Sequence, residues 1–177
     1  MLNKINKQRM EGFTLIELLI VMAVLGVLAV VVLIAINPAE QLARARDSGK
    51  ISGVQQLGRA VTAYYVGNGA MPNEDATWIT QMVNTQDLGS VPADPAPNFP
   101  VGGAACTGGR NQQDWCYDTA TSGTQEHAAV WTDLEAQQYT SACGGAGASA
   151  YAVFSTYDAR GGWGCAEPTA GATYTFQ

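Results

Sequence analysis

The chain has 177 residues, a formal net charge of −6, four cysteines and a single histidine. That length leaves room for one small globular domain plus an extra segment. None of the cysteines forms a C-x-x-C pair, which argues against a zinc site or thioredoxin-like redox chemistry. Charge is uneven: residues 1–59 carry +3 and residues 60–177 carry −9, and so acidic a portion is a poor partner for nucleic acid, whose affinity rests on Lys and Arg neutralising phosphates.

The chain starts with a basic flank, Lys4, Lys7 and Arg9, followed by an apolar run over residues 13–36 that is interrupted by one ionised side chain, Glu17, and stops at Asn37-Pro38. As a helix this run spans roughly 36 Å, enough to cross a hydrocarbon core of about 30 Å. The basic flank keeps the amino terminus cytoplasmic and sends the rest of the chain across the inner membrane as a single-pass protein. A secretory signal has a shorter apolar core and a small-residue cleavage site after it, and no such site precedes Asn37-Pro38. No cysteine near the run supports a lipid anchor.

Residues 12–22, Gly12-Phe13-Thr14-Leu15-Ile16-Glu17-Leu18-Leu19-Ile20-Val21-Met22, closely resemble the type III signal of type IV pilins and type II secretion pseudopilins. The resemblance implies a leader over residues 1–12, cut by a prepilin peptidase between Gly12 and Phe13, with methylation of the new amino terminus at Phe13. It also implies a homo-oligomeric filament built with inner-membrane assembly machinery. Physical chemistry points the same way at Glu17, since a carboxylate in a membrane helix costs on the order of 3 kcal/mol. The charged amine of a neighbouring subunit's Phe13 would neutralise it and set the axial stagger. The plainer alternative is that Glu17 snorkels to the headgroups.

Residues 13–37 are thus expected as a transmembrane and assembly helix, and residues 38–66 as its amphipathic continuation, the spine of the head. Ile51, Val54, Leu57, Val61 and Tyr64/Tyr65 form an apolar stripe, with Arg44, Arg46, Asp47, Lys50 and Arg59 on other faces. Pilins often carry a proline late in the apolar half; position 34 here is Ile34, and Pro38 is expected to kink or break a helix running over residues 13–66, roughly 80 Å long. Residues 38–46 resemble a variant found in many pilin-like proteins. Gly49-x-x-x-Gly53 has the form of a close-packing motif, but it lies outside lipid among charges and is read as having no such role. Gly67-Asn68-Gly69 and then Pro72 are expected to stop the helix.

Residues 67–177 read as an extracytoplasmic, pilin-like head. Asp75 is expected to cap a brief helix to about Val83, and residues 89–103 form a Pro/Gly-rich connector. Strands are expected over residues 114–119, 127–133 and 151–157. The fold class is therefore α+β: a long amino-terminal helix packed on a small antiparallel sheet of three or four strands, burying Trp115, Trp131, Val153 and Phe154 on the helix stripe. Cys106, Cys116, Cys143 and Cys165 suit two disulfides in an oxidising compartment. Three pairings are open, of which Cys106–Cys116 with Cys143–Cys165 would staple local loops.

No catalytic constellation emerges. His127 has no triad around it, the 144–149 Gly/Ala run lacks the context and Lys of a phosphate loop, and Glu74/Asp75 and Asp133/Glu135 read as a solvated acidic surface. Asp158 near Gly161 and Gly162 lacks the oxygen-ligand density of a calcium loop. The sequence thus points to a structural filament subunit, without metal or cofactor, that ends in an extracytoplasmic or cell-surface fibre. The alternatives are an anchored binding module that never polymerises and an anchored enzyme.

Overall fold

The computed structural model describes residues 12–93, 106, 110–113, 115–123, 125–145 and 148–177. The basic leader, Asp114 and most of the 89–103 connector lie outside the described residues. The chain forms two compact units that divide between Ala39 and Glu40.

The first unit holds α1, Leu15–Ile36, whose side chains are apolar on every face but for Glu17, and none of which is buried. By length and composition it can cross a membrane. Asn37 then adopts a left-handed conformation with φ of 46°, which an asparagine tolerates better than other side chains. Pro38 follows as the first residue of α2, Pro38–Asn68, where its missing N–H costs nothing. One continuous helix over residues 13–66 is therefore replaced by two, separated by a single left-handed residue. The second runs past Val66 through Gly67 and Asn68. It stops where Gly69 takes a positive φ of 74° and its N–H reaches Tyr65 O at 2.8 Å.

In the second unit, α2 buries Ala43, Asp47, Lys50, Val54, Leu57 and Val61, spaced three and four apart. That stripe lies with α3, Trp78–Asn84, on one face of a five-stranded antiparallel meander. Its strands are β1 (Arg110–Gln112), β2 (Trp115–Ser122), β3 (Gln125–Leu134), β4 (Ala150–Ser155) and β5 (Arg160–Gly164), in that order across the sheet. Two strands exceed expectation in number or composition. β1 is three residues long, and β5 is mostly glycine, because Gly162 and Gly164 leave room for Phe176 and Tyr174. The brief helix starts at Trp78, since Asp75 Oδ1 instead holds Thr77 N–H at 2.7 Å in a turn.

Register explains which aromatics meet the helix. Tyr117, Val130 and Phe154 stand side by side and face α2, whereas Cys116, Trp131 and Val153 stand side by side on the opposite face. Trp131 and Val153 are thus buried, but under the carboxy-terminal tail and not under the helix stripe. This tail has no strand or helix, yet Ala170 and Tyr174 cover the sheet. Asp118 accepts from Ala170 N–H at 3.1 Å, Asp158 from Tyr174 N–H at 3.0 Å, and Glu167 from the Trp131 indole at 3.2 Å. On the helix side, Gly53 faces the ring of Trp115 and Gly58 that of Phe154, with no space for a Cβ. The reading that gave the Gly49/Gly53 pair no packing role is corrected for Gly53, whose partner is a strand tryptophan and not another helix.

The charged residues of early α2 do not all face solvent. Asp47 is fully buried and Lys50 nearly so. Asp47 accepts from the N–H groups of Glu135 (3.0 Å) and Ala136 (2.7 Å), and Glu40 from that of Gln137 at 3.1 Å. These carboxylates supply the cap that Ala136 cannot give to α4, Gln137–Ala142, a helix the sequence did not announce. Glu135 in turn bridges Arg46 at 2.8 Å and Lys50 at 2.6 Å, so it is not part of a solvated acidic face. Two disulfides, Cys106–Cys116 and Cys143–Cys165, close loops with separations of 10 and 22 residues, each a constraint on the unfolded chain of about 3 kcal/mol.

Two measurements check this packing. Gly58→Ala drives a methyl into Phe154 and should destabilise the full chain by about 1–3 kcal/mol, read as a lowered thermal midpoint. Glu135 loses some solvation by burial, but the bonds from Lys50 and Arg46 outweigh this and hold its carboxyl below the ordinary 4.5. Its stabilising contribution is complete above that pH and is lost as pH falls below it. Glu135→Gln should therefore lower the midpoint at neutral pH and flatten its decline as pH falls below 4.5.

Candidate functional site

The candidate site is the start of α1. Residues 12–14 lie outside the helix, so the Gly12–Phe13 peptide is not locked in a hydrogen-bonded turn. Gly12 has nothing within 4 Å of where a Cβ would stand, and Phe13 is 87% exposed. No described part of the chain therefore covers this bond. Cutting there leaves Phe13 as a free amine one residue before the helix cap.

Thr14 is that cap. Its Oγ1 accepts from Glu17 N–H at 3.3 Å, while Glu17 Oε2 accepts from both the N–H and the hydroxyl of Thr14 at 3.1 Å. This reciprocal arrangement is a capping box, which satisfies two of the amides that every helix start leaves open. The carboxylate also sits at the positive end of the helix dipole, a gain of about 0.3–1 kcal/mol when exposed. Sequence reasoning singled out Glu17 but passed over Thr14, although the Thr-x-x-Glu spacing is the signal for such a box.

The geometry divides the carboxylate between two tasks. Both bonds fall on Oε2, and Oε1 accepts none among the described residues. Glu17 can thus hold its own helix start with one oxygen and offer the other to a cation.

The remaining candidates do not join this site. His127 lies on β3, edge-on to Tyr157 with ring centroids 4.9 Å apart. Asp158 spends Oδ2 on the tail amide of Tyr174. Among the described residues, no three His, Cys, Asp or Glu side chains gather as metal ligands would. All four cysteines are in disulfides.

Comparison with known proteins finds a family model on this segment and relatives that match part of the chain. The prokaryotic N-terminal methylation motif matches residues 7–33. The type IV major pilin protein PilE of Neisseria gonorrhoeae is 42% identical over 67 residues, covering 38% of this chain and 39% of PilE. The fimbrial protein EcpC of Eikenella corrodens is 36% identical over 86 residues, 48% of this chain and 55% of EcpC. A fimbrial protein of Neisseria meningitidis serogroup A is 42% identical over 67 residues, 38% of each chain. The matched stretch therefore spans from about two fifths to just over half the length of these relatives. No solved structure matches the chain.

The cap makes a prediction of its own. Thr14→Val removes the hydroxyl that accepts from Glu17 N–H and should weaken the first turn by about 0.5–2 kcal/mol. In detergent micelles, amide exchange at Glu17 should quicken while that in the middle of α1 stays unchanged.

Proposed function

We propose, from the methylation motif over residues 7–33 and the partial identity to type IV pilins and fimbrial proteins, that the chain is a structural subunit of a type IV pilus-like filament. Residues 1–12 serve as the leader, and a prepilin peptidase hydrolyses the Gly12–Phe13 bond on the cytoplasmic face. The released Phe13 amine is then methylated. α1 remains in the inner membrane with the head outside until assembly machinery extracts it into the fibre.

What carries this reading is an α1 of 22 residues, uncovered on every face, whose lone carboxylate sits at its start with one oxygen uncommitted. In the membrane the apolar surface faces lipid; in a filament the same surface packs on the α1 helices of other copies. The Glu17 carboxylate then meets the Phe13 amine of a neighbour, so that two charges costly in an apolar bundle neutralise each other. A non-polymerising anchored module leaves Glu17 without that partner.

Mass spectrometry of the chain from cells with and without the prepilin peptidase tests processing. Loss of residues 1–12 and a mass gain of one methyl at Phe13 are expected only when the peptidase is present. Glu17→Ala should still insert and be cut, yet yield no sheared filaments. Wild-type filament yield from that variant contradicts the pairing.

A further inference from the structure

This inference rests on the filament reading and deepens it by assigning a second contact, between heads. Copies related by one screw operation share one axial rise in every part of the chain. A Phe13 amine that meets a neighbour's Glu17 makes that rise non-zero, so a contact between heads joins two different positions of the chain.

The head carries a receptor with the chemistry to take a cation. Thr62 and Tyr65 of α2 wall a cleft of 170 Å³ whose far side is Glu126 and His127 of β3. Tyr157 stands edge-on to His127. An adjoining cleft of 290 Å³ shares Met71 and Glu126 and adds Glu74. Glu126 uses Oε2 to accept from Met71 N–H at 2.8 Å. Burial pushes the Tyr117 hydroxyl up, and Glu74, Glu126 and Asp118 push it further, so the potential here is negative. Among the described residues, no Lys or Arg lines either cleft.

Arg59 is the complementary group. It is exposed, and among the described residues it has no ion pair, hydrogen bond or ring contact. It lines a groove with Asp87, beyond ion-pair distance, while Asp87 accepts from the Thr85 hydroxyl. A guanidinium suits a site with a carboxylate and aromatic walls, because it can bond the one and stack on the other. Arg59 and Tyr65 lie about 120° apart around α2. A contact between them is therefore made by two different faces, the head-to-tail kind that propagates without closing.

We propose that the guanidinium of Arg59 docks in the Tyr65, Glu126 and His127 cleft of the neighbouring copy, holding adjacent heads together. The test uses the full chain in cells, with sheared filaments quantified against the membrane pool and with both disulfides checked as a measure of folding. R59E and E126R should each cut filament yield about tenfold, since like charges oppose in the contact, and the R59E/E126R double variant should restore it. A photo-crosslinking amino acid at position 59 should join copies through the peptide bearing Glu126, a readout that does not depend on a charge change. Wild-type yield from both single variants, a swap that rescues nothing, or crosslinks only to the chain's own Asp87 loop overturns the contact. If filaments persist in R59E but vanish in E17A, the head contact fails and the assembly reading stands. If the wild-type chain makes no filaments, that reading fails as well.

Discussion

An apolar helix with no protein cover is the constraint from which the rest follows. α1 exposes every one of its side chains, and hydrophobic surface on that scale is stable only in lipid or against other apolar helices. On the filament reading proposed above, the single carboxylate on it converts a general stickiness into an address. A charge in an apolar bundle is costly unless a counter-charge reaches it, so helices that satisfy Glu17 can pack at one axial offset and not at its neighbours. The capping box adds economy, because half of the carboxylate already stabilises its own helix start.

The second unit solves a different problem. Its sheet has apolar residues on both faces, so both must be covered, and the two covers are unlike. One is a regular helix whose glycines at positions 53 and 58 admit the rings of Trp115 and Phe154. The other is an irregular tail, held by hydrogen bonds from its amides to Asp118 and Asp158. Several acids that make this unit negative are thus at work on backbone amides, an arrangement that neutral Asn or Gln would serve less well, since bonds to charged acceptors are the stronger ones.

Asp47, Lys50, Arg46 and Glu135 show how the helix and the sheet are tied. Burial pushes the Asp47 carboxyl up, against the amides of Ala136 and Glu135 and the charge of Lys50. Glu40 is pulled down, first by the Gln137 amide, though burial opposes it, and then by Arg44. The group as a whole fixes the β3 to α4 turn against the first turns of α2. Cys143, at the end of α4, passes that restraint on to Cys165, just after β5.

The amino-terminal half was legible because its signals are local. An apolar run, one acid, a Gly-Phe-Thr start and a Pro after an Asn are read along the chain without knowing what lies across from them, and even the missed capping box was there in the Thr14 to Glu17 spacing. α2 and the three longer strands were legible from periodicity for the same reason. What periodicity could not decide was which side of the sheet met which cover: Trp131 and Val153 look like Val130 and Phe154 in sequence, and only the register sorts them to opposite faces. Nor could it find the glycine-rich β5, the unstructured tail as a second cover, or the burial of Asp47 and Lys50. Each of these depends on a partner some 10 to 90 residues distant, and it is the shape and charge of that partner, not of the residue itself, that make the position favourable.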